Sequence, residues 1–426
     1  MNVLLLGGGA REHALGWKLA QSPLLDSLTC LPGNPGLAEL GPVVEGISPT
    51  DAGAVAAFAR QQDIDLVVVG PEAPLAAGVI DAFTSQGVPA FGPSRSAARL
   101  ESSKSFAKTI MEKAGVPTAP AGVFTKREPA IEYLGRRSPP FVVKADGLAA
   151  GKGVLVTDDR TEAIGWVDRC LSGDFADAGH TIVIEDFLAG PEVSVFALCD
   201  GTEAVPLQPA RDYKRLREGD RGPNTGGMGC FSPVDDLPAG LVDWTLDHVI
   251  RPVLHQMESE GAPYRGFLYA GLVLTERGPQ VLEFNCRLGD PETQVVLPLL
   301  DNDLVEVILA CLDGRARTLD LTWSDEAAVD VVLAAAGYPA NPRRGDPIRG
   351  VPAAAELPGV LVFQAGTIRE DGTLKTNGGR VINVVGIGPT LAEARRRAYA
   401  AAEGIRFAGK QLRPDIAGVT GTRGTS

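Results

Sequence analysis

Val281-Leu282-Glu283-Phe284-Asn285-Cys286-Arg287 runs straight into Leu288-Gly289-Asp290-Pro291-Glu292-Thr293. In an extended strand successive side chains alternate between faces. Glu283, Asn285 and Arg287 then share one face, and Leu282, Phe284 and Cys286 share the other. The second set can pack on a core. The first places an anionic ligand, a neutral oxygen ligand and a fixed cation within two strand steps, which suits a divalent cation held between a protein carboxylate and substrate phosphates. The plain alternative is an edge strand with a wet outer face, and the rest of the chain decides between them.

With 426 residues the chain exceeds one ordinary core, and several domains are expected. A net charge of -13 argues against a broad nucleic-acid or anionic-membrane surface, which needs basic patches, so any phosphate site must be local. The six cysteines are scattered without a C-x-x-C pair, and Met1-Asn2-Val3-Leu4 enters a strand directly, which reads as a reduced, cytoplasmic protein. No apolar run reaches the ~18 residues of a membrane span. The four histidines lack zinc spacing, leaving carboxylate-based hard-metal chemistry open.

Toward the amino terminus, an apolar run at 2–6 leads through Gly7-Gly8-Gly9-Ala10-Arg11-Glu12-His13 into a helical pattern. Strands at 27–31 and 66–69 and a helix at 51–62 continue a β-α-β alternation, so a small parallel sheet is predicted. Ligands bind such sheets at the carboxyl ends of the strands, where Gly7 to His13, Gly33-Asn34-Pro35-Gly36 and Gly70-Pro71-Glu72 fall. A dinucleotide fingerprint is a poor fit, because Glu12 stands where a third glycine belongs and no acid closes the second strand. A smaller anion site remains, made of backbone N–H groups at a helix start with Arg11 and His13 beside them; glycines used only for a tight turn are the alternative.

Residues 121–188 read as a compact lid-sized unit of strands and helices. Lys144 lies inside an apolar strand, where an unpaired ammonium is costly, so a bound anion is the expected partner. The following loop, Gly147-Leu148-Ala149-Ala150-Gly151-Lys152-Gly153, has Gly153 where a Walker loop needs Ser or Thr. It reads as a loop that closes over phosphates, with a plain hairpin connection as the alternative. The strand ending at Glu185-Asp186-Phe187-Leu188, with Glu192 close behind, offers an acceptor and a backbone donor to an adenine and a carboxylate to ribose hydroxyls. Residues 211–229 form a long loop rich in charge and glycine, of a kind that is usually functional or disordered. After about 323 the chain reads as a small α+β module with hairpin signals at Asp371-Gly372 and Asn377-Gly378-Gly379 and no chemical cluster.

Taken in order, five stretches resemble the glycinamide ribonucleotide synthetase family of the ATP-grasp superfamily. They are Gly9-Ala10-Arg11-Glu12-His13-Ala14, Val69-Gly70-Pro71-Glu72-Ala73-Pro74-Leu75, the run from Lys144 to Val154, Gly222-Pro223-Asn224-Thr225-Gly226-Gly227-Met228-Gly229, and Glu283 to Arg287 with Gly289 to Thr293. The resemblance covers nearly the whole chain. It implies a multidomain α/β and α+β protein: an amino-terminal parallel α/β domain (1–103), an ATP-grasp domain (104–120 and 189–325) with its lid (121–188), and a small carboxy-terminal α+β domain (326–426). It implies ligation of glycine to 5-phosphoribosylamine through glycyl phosphate, with ATP as co-substrate and Mg2+, or alternatively Mn2+, as the metal. Such a protein works on these small molecules, with no nucleic-acid or membrane partner, as a monomer or weak dimer.

The resemblance also implies roles. Glu283 and Asn285 hold the metal. Lys104, Lys144, Gly151, Lys152 and Gly153 gather the phosphates, while Glu185, Leu188 and Glu192 hold adenosine. Arg287, Asp212, Lys214, Asn224, Gly226, Gly227, Met228 and Asp290 position glycine and its acyl phosphate. Gly9, Arg11, Glu12, His13, Pro71 and Glu72 hold the amine's ribose phosphate. The chain departs from the family pattern at Arg211 and Tyr213, where many relatives have Gln and His, and at Cys230, where alanine is usual. Three other readings stand beside it: an ATP-grasp ligase with a different acyl or amine partner, a nicotinamide oxidoreductase, and a silent nucleotide-binding protein. The front-end motifs oppose the first and Glu12 the second, and the presence of Glu283, Asn285 and Arg287 opposes the third.

Overall fold

Strand Asn2–Gly7 is almost wholly apolar, and so is Leu66–Val69; both are buried on both faces. Such strands sit inside parallel sheets covered by helices on each side. The computed structural model, which describes residues 1–149, 153–174 and 180–418, bears this out. Asn2–Gly7 pairs in parallel with Ser27–Pro32 and Leu66–Val69, giving the predicted parallel sheet, and a fourth strand not foreseen, Ala90–Phe91, pairs with Leu66–Val69. Helix Ala10–Leu19 begins at Gly9, where Glu12 reaches back to the Gly9 N–H at 2.7 Å as half of a capping box.

The sheet of the unit expected to be a lid is antiparallel throughout: Ala121–Phe124, Ile182–Asp186, Phe141–Ala145 and Val154–Thr157 lie side by side in that order. Helices Arg127–Gly135 and Arg160–Leu171 cover one face and close a separate small core around Leu134, Val143, Val167 and Ile184. Next to it stands a third four-stranded sheet, ordered Ala204–Pro206, Glu192–Asp200, Arg265–Thr275, Gly278–Asn285. The closing strand is therefore an edge strand. Its inner face joins the same core as the amino-terminal sheet, so the two units share one apolar interior.

The carboxy-terminal sheet differs from expectation. It has five strands in the order Arg211–Asp212, Gly229–Ser232, Ala327–Ala334, Arg380–Gly388, Val360–Gln364. Its first two strands come from the loop expected to lack structure, so that segment crosses the boundary drawn at 326. Gly229 allows the crossing: its φ is +150°, and a Cβ there would stand 2.4 Å from the Asp330 carbonyl. Asp371-Gly372, with φ of 48° and 75°, turns a hairpin between Thr367–Glu370 and Thr373–Thr376. Asn377-Gly378-Gly379 makes no hairpin; it leads out of that ribbon into Arg380–Gly388 in another sheet, with Gly379 packed against the Tyr338 ring. Helix Leu391–Gly404 packs an alanine face, Ala394, Ala398, Ala401 and Ala402, on this sheet.

Candidate active site

Glu283 pairs across the sheet with Gly271, whereas Leu272 pairs with Val281, so Leu282 is an extra residue in a β-bulge. The bulge resets the alternation. Val281, Phe284 and Cys286 form the core face, not the expected Leu282, Phe284 and Cys286. Glu283 and Asn285 still share the outer face with Arg287 beyond them. The strand is tied to the start of the lid segment, because Val281 N–H donates to the Pro117 carbonyl at 2.8 Å and Thr118 Oγ1 donates to the Val281 carbonyl at 2.7 Å.

Three lysines face Glu283. Burial pushes its carboxyl up, but Lys214, Lys144 and Lys104 outweigh this and hold it below the usual carboxylate range. Lys104 opens helix Lys104–Lys113, capped by Ser103, and its Nζ donates to the Gly147 carbonyl at 3.2 Å. Burial lowers the Lys104 amine, with Glu283 opposing. Lys144 was expected to wait for a bound anion, yet it already has a partner: Glu185 on the neighbouring strand, which also pairs with Lys108 at 2.8 Å. A buried ammonium needs a counter-charge, and the fold supplies one. Glu185 is thus committed to two lysines, one of which, Lys108, the sequence reading missed. Leu188 is half-buried just past the strand end beside exposed Phe187. Lys214 Nζ lies 2.7 Å from Glu192 Oε2. Burial lifts Asp212 to about 7, against the pull of Lys214, with Glu292, Glu192 and Glu283 adding to it. The Gly153 carbonyl accepts from Ala145 N–H at 2.8 Å; Gly151 and Lys152, expected to gather phosphates with it, lie outside the described residues.

Arg287 sits between two carboxylates, 2.8 Å from Glu101 and 3.4 Å from Glu72. Its Nη2 also donates to Asn285 Oδ1 at 3.4 Å. Glu101, whose other oxygen accepts from Cys286 N–H at 2.7 Å, was not foreseen, because it lies within the short helical turn Arg99–Ser102, far away in sequence. Burial opposes charge on Glu72, but Arg287 and Arg11 hold it down at about 2. Arg11 Nη2 lies 3.8 Å from Glu72, its Nε 2.6 Å from Glu12, and its Nη1 donates to the Leu288 carbonyl at 3.4 Å. Arg11, Glu72, Glu101 and Arg287 therefore form one charged chain from the amino-terminal turn to the closing strand.

The other residues of that turn face inward. Gly7 and Gly70 leave room for the Glu12 side chain, since a Cβ on either would stand 2.3 Å from it, and Pro71 packs against Gly7. His13 Nδ1 accepts from Gln364 N–H at 2.9 Å and its ring meets Phe363 edge-on at 5.4 Å, so it joins the first sheet to the last. Burial holds it neutral, lowering its pKa to about 4. The side chains of Glu12 and His13 are thus taken up within the protein, and Arg11 is buried between Glu12 and Glu72, while Gly9 lies on the side toward Asp290.

The module expected to lack chemistry supplies two residues here. Arg380 donates to the carbonyls of Gly226 at 2.6 Å and Asp290 at 2.5 Å, and pairs with the Asp290 carboxylate at 2.9 Å. Tyr338 Oη accepts from Gly226 N–H at 2.9 Å. Gly227, with φ of +117°, packs so closely on Pro291 that a Cβ would be 2.5 Å away. Asn224 is exposed, whereas the Met228 side chain is fully buried in the protein. Among the described residues no group of three or more His, Cys, Asp or Glu is arranged to hold a metal, and none is long and apolar enough as a helix to cross a membrane.

Comparison with known proteins agrees along the whole chain. Residues 1–101 match the family profile described as phosphoribosylglycinamide synthetase, N domain; 102–293 match its ATP-grasp (A) domain, and 328–419 its C domain. The chain is 47% identical over 416 residues to a phosphoribosylamine–glycine ligase of Mesorhizobium japonicum, covering 98% of this chain and 97% of the relative. It is 49% identical over 420 residues to the enzyme of that name from Streptomyces coelicolor, covering 98% and 99%. Among solved structures, the phosphoribosylamine–glycine ligase of Thermotoga maritima superposes with a TM-score of 0.85 at 38% identity, over 98% of this chain and 100% of that one. With all three domains matched in order around this site, the chain belongs to the phosphoribosylglycinamide synthetase family.

Proposed function

We propose that the protein joins glycine to 5-phosphoribosylamine, with ATP as phosphoryl donor, to give glycinamide ribonucleotide, ADP and phosphate in purine synthesis. The observation that carries this reading is the convergence of Lys104, Lys144 and Lys214 on Glu283 within a chain of this family. A glycine carboxylate is a weak nucleophile toward a highly charged γ-phosphoryl group, so the protein must align and neutralise rather than supply a covalent nucleophile. Glu283 and Asn285 offer two hard oxygen donors, and this incomplete set suits an ion that shares its remaining positions with phosphates and water. Mg2+, with Mn2+ as the alternative, would neutralise phosphate charge there. Lys104, Lys144 and the loop ending at Gly153 hold the phosphates, Leu188 and Glu192 hold the adenosine, and Glu185, committed to Lys144 and Lys108, sets Lys144 in place.

Glycine's carboxylate oxygen attacks the γ-phosphorus and ADP leaves. The neutral amine nitrogen of 5-phosphoribosylamine then attacks the acyl carbon, the carbon–oxygen bond to phosphate breaks, and the nitrogen gives its proton to solvent or the departing phosphate. Arg287, Asp212, Lys214 and the turn from Asn224 to Met228, with Asp290, orient the acyl group. Gly9, Arg11 and Glu72, with Pro71 behind them, orient the amine substrate, and Glu12 and His13 shape the turn that carries Arg11. The protein is proposed to act in the cytoplasm as a monomer or weak dimer. ADP release measured with glycine and freshly generated phosphoribosylamine, each omitted in turn, tests the reading: release must need both, and release with neither, or with another amino acid preferred to glycine, overturns it.

A further inference from the structure

Beyond Asp212 the backbone stays paired: Tyr213 N–H donates to the Gly229 carbonyl at 2.9 Å, Met228 N–H to the Tyr213 carbonyl at 2.8 Å, and Thr225 N–H to the Lys214 carbonyl at 2.7 Å. Alternate side chains of such a segment leave on opposite faces. Asp212 and Lys214 face Glu192 and Glu283. Arg211 and Tyr213 face the other way, both against the Phe231 ring. Tyr213 is therefore the rear anchor of two site residues.

What holds Tyr213 is the strap 413–417. The Arg413 guanidinium lies over the Tyr213 ring, 4.7 Å from its centroid, and Tyr213 Oη accepts from Ala417 N–H at 3.0 Å. Arg413 is only 1% exposed and heads the fully buried side chains by size. Its fork donates to Asp415 at 2.8 and 2.7 Å, to Asp220 at 2.8 Å and to the Arg215 carbonyl at 3.1 Å, while Asp415 accepts from Gly219 N–H at 3.0 Å. It thus grips the first arm and, through Asp220, the connecting turn of the ribbon formed by Arg215–Arg217 and Arg221–Asn224, whose far end is the Asn224 to Met228 turn. The strap is itself held by helix Leu391–Gly404: Tyr399 Oη donates to the Arg413 carbonyl at 2.5 Å and accepts from Ile416 N–H at 3.1 Å, and Arg395 donates to the Ile416 and Pro414 carbonyls at 2.9 and 2.7 Å. Burying a guanidinium is poor value as stabilisation compared with packed apolar side chains. Its rigid, many-armed fork is well suited to fixing geometry.

We infer that Arg413 is a positioning residue: through Tyr213 and the 215–224 ribbon it sets Asp212 and Lys214 at working distance from Glu192 and Glu283. This rests on the proposed role of Asp212 and Lys214 in the site. The experiment compares full-length wild type with Arg413→Gln, Arg413→Lys, Asp220→Asn and Lys214→Met, reading melting temperature, kcat, and KM for ATP and glycine well below the melting temperature. Small misplacements of reacting groups cost up to about a hundredfold in rate. Arg413→Gln is expected to lower kcat about tenfold or more with KM for ATP within about twofold, and Arg413→Lys to restore part of the rate. Asp220→Asn, at an exposed partner, is expected to lower kcat severalfold without unfolding the chain. Where Arg413→Gln fails to fold, Asp220→Asn decides by the same split. Variants that melt earlier but keep wild-type kcat and KM overturn the inference. An inactive Lys214→Met beside an unaffected Arg413→Gln overturns it alone, whereas a fully active Lys214→Met removes the site reading on which it stands.

Discussion

Replacing Arg287 by methionine keeps most of the side-chain volume but takes away the cation that Glu101 meets at 2.8 Å and Glu72 at 3.4 Å. Glu101 is the more exposed to the consequence, because its side chain is 7% accessible, whereas Glu72 keeps Arg11 at 3.8 Å. Breaking a buried pair by removing one partner costs about 3–5 kcal/mol, since the other charge is left uncompensated. Burial already lifts the Glu101 carboxyl above its usual range, with Arg287 opposing and Glu72 adding to the lift. Without Arg287 the lift grows. A carboxylate whose pKa is higher folded than unfolded makes the folded state bind its proton more tightly, so the lost stability returns as pH falls below the folded pKa, at about 1.4 kcal/mol per unit. Urea unfolding of wild type, Arg287→Met, Glu101→Gln and the double variant at pH 8 and pH 6 checks this. The Arg287→Met deficit should be largest at pH 8 and smaller at pH 6, and adding Glu101→Gln should recover about 1–2 kcal/mol at pH 8. Equal deficits at the two pH values with additive single effects would refute the reasoning.

Arg11→Ala should raise the requirement for phosphoribosylamine more than that for ATP in steady-state kinetics, because Arg11 joins the amino-terminal turn to Glu72 and Leu288. His13 is held neutral in the fold by burial, with a pKa of about 4 against 6.5 when free. The unfolded chain therefore binds that proton first, and stability is lost as pH falls from about 6.5 to 4, to a total of about 3 kcal/mol; urea midpoints of His13→Gln should lack this limb. Arg380→Gln gives up a charge-assisted bond to Asp290 and weakens the hold on Gly226, a loss of about 2 kcal/mol, and should lower kcat/KM for glycine or the amine while KM for ATP stays near wild type.

Much of this architecture is legible locally. Runs such as Val3 to Leu6 and Leu66 to Val69 can only be buried strands, and Gly9 with Glu12 three residues on announces a helix start. Glu283, Asn285 and Arg287 point outward as expected, although the bulge at Leu282 escaped notice because it depends on the partner strand around Gly271. Contacts set by tertiary structure were invisible for the same reason. Lys144 finds Glu185 across a strand pair, Arg287 finds Glu101 from a turn 186 residues earlier (287 minus 101), and Arg380 and Tyr338 reach the Gly226 turn from a different sheet. The segment 211–232 lacks a strand pattern, being rich in charge and glycine, yet it completes the carboxy-terminal sheet because Ala327–Ala334 offers it a free edge. His13 reads as an anion ligand from its place in the turn; only the approach of Phe363 and Gln364 turns it into an interdomain contact.

The central claim is that the outward row on the closing strand, facing three lysines, holds the metal-bound triphosphate. A crystal structure with Mg2+ and a non-hydrolysable ATP analogue measures this directly. The ion is expected about 2.1 Å from a Glu283 carboxylate oxygen and from Asn285 Oδ1, with the phosphates toward Lys104 and Lys144. A triphosphate bound away from Glu283 and Asn285, with both side chains unligated, would contradict it.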